Sequence, residues 1–266
     1  MDLAHLSSRL VGWLADRPLP GFLRAPAWRL FARAVGADLA EVERPLHAYP
    51  SLSAFFVRHL RAGSRRVDAD PDVLPSPVDG RVQHLMEVGV DGEVLQAKGQ
   101  PYRVDELLGP LAPASLVGWR CWTLYLSPRD YHRIHCPFDG ELVDVAWIGS
   151  ERHPVAPRVL ARRPRVFVRN ARAVLRLSER GRTSYMVFVG ALNVSRIKVE
   201  GVPSGGTPAR PLHFVRGQEI GRFELGSTVI LVTPPTGPRP LAGLGPESPV
   251  HMGAAIGRES ATADAT

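Results

Sequence analysis

The sequence predicts an α+β chain, with a helical N-terminal region over residues 1–63, a β-dominated domain of sandwich or barrel type over 64–258 and a disordered tail over 259–266. Three observations carry this division. Before Gly63, apolar residues recur at three- and four-residue spacing, the period of a helix with one buried face. After Gly63, runs of β-branched and aromatic residues of strand length are cut by Gly, Pro and Asp. Strand-like runs do not alternate with helix-length amphipathic stretches, and neither GxGxxG nor a P-loop occurs, which argues against a doubly wound nucleotide-binding fold.

In the helical region Leu3, Leu6, Leu10, Trp13 and Leu14 form a first apolar stripe; Pro18 and Pro20 interrupt it, and Ala27, Leu30, Phe31, Ala34 and Val35 resume the pattern. A third helix is expected in SLSAFFVRHLRAG, with Ser51 or Ser53 as its N-cap and Gly63 as its stop. Arg9, Arg17, Arg24, Arg29 and Arg33 are interleaved with these residues. Such a mixture suits an interfacial helix, whose rings and aliphatics enter lipid while guanidiniums meet phosphates. It equally suits a helical cap packed on the rest of the chain, and both can hold on different faces.

The strands follow in order as RVQHLMEV, GEVLQAKG, GWRCWTLYLS, GELVDVAWIG, RVFVRNARAVLRLSE, TSYMVFVGA, RIKVEGV and STVILVTP. Each is rich in residues that suit a pleated surface and is bounded by turn formers. The last has the composition of a half-buried or buried strand, and Gly226 just before it supplies a turn. GVPSGGTPARP is expected to be an exposed loop, and ESATADAT the tail.

A net charge of +7 rests on 31 arginines against two lysines, Lys98 and Lys198. Arginine favours planar, bidentate contact with phosphate or carboxylate. Between Arg152 and Arg182 ten arginines meet a single interior carboxylate, Glu179, either as a solvated strand face or as a phosphate-collecting patch. Only Phe167 is interleaved with them, which disfavours nucleic acid. No stretch reaches the apolar length of a membrane-spanning helix, and the start lacks a secretory layout, so the chain is expected to stay where it is made or to sit on a surface. Cys121 and Cys136 are expected to be free thiols without a redox role.

Three stretches could carry chemistry: SPVDG with Asp79, SPRDYHRIHCPFDG with His132 and His135, and LGST with Ser227. Serine becomes a nucleophile when a base takes its proton, and the base works best when a carboxylate orients it. The HxxH spacing, with Asp130, Cys136 and Asp139 close by, completes no zinc pattern, so no metal is expected. The residues alone leave open a serine hydrolase with an Asp79/His135/Ser227 triad, a hydrogen-bonded loop without chemistry, and a non-catalytic membrane-binding module.

YLSPRDYHRIHCPFDGEL, PSPVDGRV, LQAKGQPYRVDELLG and RGQEIGRFELGSTVILV resemble the phosphatidylserine decarboxylase proenzymes, in the bacterial membrane-associated form. The likeness runs from about SLSAFFVR to Val232; VGALNVSRIKV departs from it, with Asn193, Ser195 and Arg196 where smaller residues are more usual. The resemblance implies a lyase made as a zymogen that cuts itself between Gly226 and Ser227, giving a β chain of residues 1–226 and an α chain of 227–266. It assigns His135 as the base for the Ser227 hydroxyl and Asp79 as the group orienting His135. Attack on the Gly226 carbonyl gives an ester, β-elimination leaves dehydroalanine, and hydrolysis yields ammonia and a pyruvoyl group, the covalent cofactor implied. Ser227 must then reach the carbonyl just before it, a strained geometry that glycine adopts at least cost. The pyruvoyl group would form a Schiff base with the amine of phosphatidylserine and accept electrons as CO2 leaves, giving phosphatidylethanolamine. His132 is the candidate acid that returns a proton to the α-carbon, with Tyr131 second. The implied partners are phosphatidylserine, an anionic membrane surface and the two self-derived chains, with a homo-oligomer left open and nucleic acid excluded. The implied location is peripheral, on the cytoplasmic side of the cell membrane.

Overall fold

A computed structural model describes residues 15–97, 99–191, 197–223 and 227–259. The first apolar stripe, residues 3–14, lies outside the described residues, as do Asn193, Ser195, Arg196, Gly226 and the end of the tail, 260–266.

Helix α1 (Gly21–Val35) begins after Pro20 and ends at Gly36, which takes φ 80° and bonds its N–H to Ala32 O. Its inner face buries Trp28 and Ala32. Trp28 stacks on Phe55 with centroids 5.8 Å apart and donates its indole N–H to Tyr49 O at 3.0 Å. Helix α2 (Leu52–Phe56) is capped by Ser51, whose Oγ accepts the Ala54 N–H at 3.2 Å. The helix expected to reach Gly63 stops at Phe56, because the chain beyond it is recruited elsewhere: Leu60 bridges to Val42 and Arg58 reaches the carbonyl of Arg129.

Eight strands form one antiparallel sheet in the spatial order β11 (Leu212–Phe214), β7 (Gly140–Ile148), β8 (Arg172–Glu179), β9 (Arg182–Gly190), β13 (Ser227–Thr233), β5 (Arg120–Leu126), β2 (Gly80–Glu87) and β15 (Pro249–Val250). A three-stranded sheet joins β1 (Val73–Pro75), β16 (Ala255–Arg258) and β14 (Arg239–Pro240). Another joins β10 (Ile197–Val199), β12 (Glu219–Phe223) and β6 (Arg133–His135), and β3 (Glu93–Ala97) pairs with β4 (Gln100–Arg103). The chain is therefore α+β and β-dominated. Strand β13 pairs with β5 on one side and β9 on the other, and all seven of its residues are buried. Cover on both faces explains why its sequence is continuously apolar rather than alternating.

Two DG steps start strands at close approaches. A Cβ on Gly80, at φ 153°, would sit 2.2 Å from Tyr125 O, and one on Gly140 2.5 Å from Ser178 O, so neither position accepts a side chain without moving backbone.

Residues 166–169, expected as part of a strand, form one helical turn instead. Gln96, fully buried on β3, decides this: its Oε1 accepts the N–H groups of Val166 at 2.6 Å and Phe167 at 3.4 Å. Six of the ten arginines of 152–182 are held by carboxylate or carbonyl partners and do not belong to a free phosphate-collecting patch. Arg165, Arg169, Arg176 and Arg180 reach Glu106, Glu151, Asp144 and Asp72, and Arg182 reaches both Glu179 and Glu259. Buried Arg172 donates to the carbonyls of Glu106, Leu107, Val168 and Asn170. Apart from Glu179, the carboxylates lie outside the 152–182 window, so counting within that window missed them. Glu259, placed in the tail by sequence, also donates its N–H to Asp72 O at 2.8 Å and so belongs to the folded domain.

Candidate active site

One end of the central sheet gathers the chemistry-bearing residues. Ser227 opens β13 and pairs with Leu126, the last residue of β5, and with Gly190, the last of β9. The segment leaving Leu126 carries Asp130, Tyr131 and His132 before entering β6. Asp79 sits immediately before β2, whose Arg81 pairs with Tyr125. The small sheet closes the assembly: Phe223 N–H donates to His132 O at 3.1 Å, His135 pairs with Glu219, and His135 N–H donates to Pro77 O at 2.9 Å.

Both imidazoles are set by backbone carbonyls. Nδ1 of His132 lies 2.9 Å from Asp130 O, and Nδ1 of His135 lies 2.7 Å from Gly217 O. A carbonyl only accepts, so Nδ1 carries the proton in each ring and Nε2 carries a lone pair. The Nε2 of His135 accepts from the Tyr131 hydroxyl at 3.1 Å. The Nε2 of His132 is buried without a partner. His132 packs on Phe56 with centroids 4.1 Å apart, and burial pushes it down to about 3. Burial also lowers His135 and raises Tyr131. Both histidines are therefore neutral at pH 7, and Tyr131 keeps its proton.

Ser227 itself is 0 % exposed, and its Oγ has no hydrogen-bond partner among the described residues. Thr233, at the other end of the same strand, accepts the Trp122 indole N–H at 3.1 Å. An idle buried hydroxyl costs about 1–3 kcal/mol; Ser227 shares this state with Thr228 beside it and with Ser184 on β9, and differs from them in standing at the head of the strand, next to the segment that carries Tyr131 and His132.

The Asp79–His135 contact implied by resemblance is not formed. Asp79 is buried and takes Arg65 Nε at 2.8 Å and Nη2 at 2.5 Å, with the Met252 N–H at 2.8 Å. Arg65 in turn forks onto both carboxylate oxygens of Glu41, at 2.7 and 2.9 Å. Burial opposes the charge of Arg65, but its hydrogen bonds to Asp79 and Glu41 prevail and raise it above its ordinary value. A standing hydrolase triad needs Asp–His and His–Ser bonds, and neither exists among the described residues. Nor do the described residues hold a cluster of three or more His, Cys, Asp or Glu able to take a metal.

A family model described as phosphatidylserine decarboxylase matches residues 52–258. The chain is 40% identical over 262 residues to the phosphatidylserine decarboxylase proenzyme of Myxococcus xanthus (strain DK1622), covering 94% of this chain and 92% of that one. The chain belongs to the phosphatidylserine decarboxylase family. The proenzymes of Stutzerimonas stutzeri (strain A1501) and Coxiella burnetii (strain RSA 493 / Nine Mile phase I) are each 36% identical, over 98% and 85% of the chain and 93% and 84% of their own lengths.

In this decarboxylase-family chain, residues that the motifs did not single out stand beside Asp79 and Tyr131. A cleft of about 180 Å³ beside Asp79 is lined by Tyr131 and Asp130 together with Arg58, Arg65, Glu41 and Arg129. Three of these come from the helical region or the link after it. Position alone hid them, since Arg65 stands 24 residues from Glu41 and 14 from Asp79; the arginine-rich link around it was the only local signal.

Proposed function

We propose that this chain is a phosphatidylserine decarboxylase proenzyme that cuts itself between Gly226 and Ser227 and then converts phosphatidylserine to phosphatidylethanolamine and CO2. The observation that carries the reading is the buried, unbonded hydroxyl at the head of the central strand, in a chain similar over most of its length to proteins named as proenzymes of that activity. Burial alone does not single Ser227 out, since the Thr228 hydroxyl beside it is equally buried and idle; its place at the head of the strand does. As the precursor of a pyruvoyl group it fits, because it is already withdrawn from water and fixed between two ladder partners.

A pyruvoyl group at position 227 supplies a carbonyl for the substrate amine and an electron sink while CO2 departs. The side chains supply the proton handling. His135 accepts the Ser227 proton at Nε2 once the Tyr131 hydroxyl lets go, and the Gly217 carbonyl keeps its ring in the accepting tautomer. Asp79 acts through Arg65 and the Met252 N–H, fixing the turn whose Pro77 carbonyl holds the backbone of His135. His132 takes a proton at Nε2 from the incoming ammonium and returns it to the α-carbon. Its burial keeps that protonated state brief.

The outward face of α1 exposes Phe22, Leu23 and Leu30 beside Arg29 and Arg33. That pairing supports a peripheral seat on an anionic bilayer, on the cytoplasmic side of the cell membrane, where the headgroup can be reached from the surface. No described helix is long and apolar enough to cross a membrane. The test is turnover of phosphatidylserine vesicles by purified wild-type protein and Ser227→Ala. CO2 and phosphatidylethanolamine from the wild type alone are expected; an inert wild type that reacts with a serine-directed phosphonate would support the hydrolase reading instead.

A further inference from the structure

Arg58 is a buried cation with idle donors. It is 3% exposed, and the described residues offer it no carboxylate within ion-pair distance. Nη2 donates to Arg129 O at 3.0 Å, while Nε and Nη1 have no partner. The guanidinium carbon lies 5.3 Å from the centre of the Phe55 ring. Phe55 stacks on Trp28 and the neighbouring Phe56 packs against His132, so the guanidinium rests on a helix that itself touches the reacting end of the sheet. Arg58 lines the same cleft as Asp79, Asp130 and Tyr131. Burying a guanidinium with unused N–H groups is costly and is sustained where an anion completes it. Nη2 has two N–H bonds and gives one to Arg129 O, so its second, paired with the idle Nε or Nη1, leaves one planar fork that can grip two oxygens of one anion.

The substrate of the proposed reaction offers two anions, and the chemistry separates them. The carboxylate loses its charge as CO2 forms, so a guanidinium on it would favour the ground state over the transition state and slow the reaction. The phosphodiester keeps its charge throughout, and holding it leaves the barrier untouched. We propose that Arg58 binds the phosphodiester of the lipid headgroup, positioning the serine moiety between His132 and residue 227. This rests on the decarboxylase reading and deepens it by naming the headgroup-binding residue.

The experiment compares processed wild type, Arg58→Gln and Arg58→Lys with dihexanoylphosphatidylserine, and measures the Kd of dihexanoylphosphatidylethanolamine by calorimetry. The ethanolamine lipid keeps the phosphodiester but has no carboxylate. Expected for Arg58→Gln is a rise of about tenfold or more in both KM and that Kd, with kcat within about twofold of wild type; Arg58→Lys should fall between. Unchanged KM and Kd, or a lowered kcat at unchanged KM, would overturn the proposal. Weakened serine lipid with unaffected ethanolamine lipid would also overturn it, by placing Arg58 on the carboxylate. Inorganic phosphate competing as strongly as the lipid would show a general phosphate site and reject the headgroup. Extent of self-cleavage reports folding; where Arg58→Gln fails to process, Arg58→Lys must still show the raised KM at unaltered kcat. Wild-type turnover separates failure of this proposal from failure of the decarboxylase reading.

Discussion

Replacing Ser227 with alanine removes a buried hydroxyl that has no partner among the described residues. The variant is expected to be at least as stable as wild type, by up to about 1 kcal/mol in urea unfolding, while losing self-cleavage entirely. A marked loss of stability would mean that the hydroxyl has a structural partner after all. His132 gives a prediction with a pH sign. Its folded pKa is depressed to about 3 from an ordinary 6.5, so between those values the unfolded chain binds more protons and stability falls as pH drops. The slope from this residue is at most about 1.4 kcal/mol per pH unit. His132→Gln should therefore flatten the decline of stability between pH 7 and pH 5, and equal slopes in the two proteins would refute the neutral, buried state. Asp79, His132, His135 and Ser227 were named from the sequence through the motifs around them, and the fold places them at or near one end of the central sheet. The bonds they make were not, since Arg65, Gly217 and Met252 meet them only through the fold.

Helix α1 reconciles two uses of one amphipathic pattern. Trp28 packs with Phe55 and Tyr49 and Ala32 is buried, whereas Phe22, Leu23 and Leu30 face out. Trp28→Ala should cost about 3–5 kcal/mol. A Phe22→Ser/Leu30→Ser double variant should leave the thermal midpoint nearly unchanged but reduce co-sedimentation with anionic vesicles several-fold. Equal sedimentation would reject the outer face as the membrane seat. Strand β13 was fully legible because a central strand covered on both faces carries its signal in every residue. Helix α2 and the turn at 166–169 were misjudged for the opposite reason. Their extents are set by Leu60 bridging to Val42 and by the side chain of Gln96, contacts that no local window contains.

Across the whole molecule, Arg65 clasps Glu41 of the helical region to Asp79 at the edge of the active site, and Arg133 links β6 to the Val57 carbonyl at 2.9 Å. The boundary drawn at residue 63 is therefore a change of texture rather than a line between independent units. Arg65→Gln leaves a buried carboxylate with the Met252 N–H as its remaining hydrogen bond, so a loss of about 3 kcal/mol is expected, together with slowed self-cleavage. Glu41→Gln should cost less, because the Asp79 half of the clasp remains. Decarboxylation by this chain requires that residue 227 does not stay a serine. Intact-protein mass spectrometry of freshly folded wild type decides this directly. Two chains are predicted, residues 1–226 and 227–266, the shorter one lighter by one ammonia than a chain starting with serine; a single full-length mass after prolonged native incubation would contradict it.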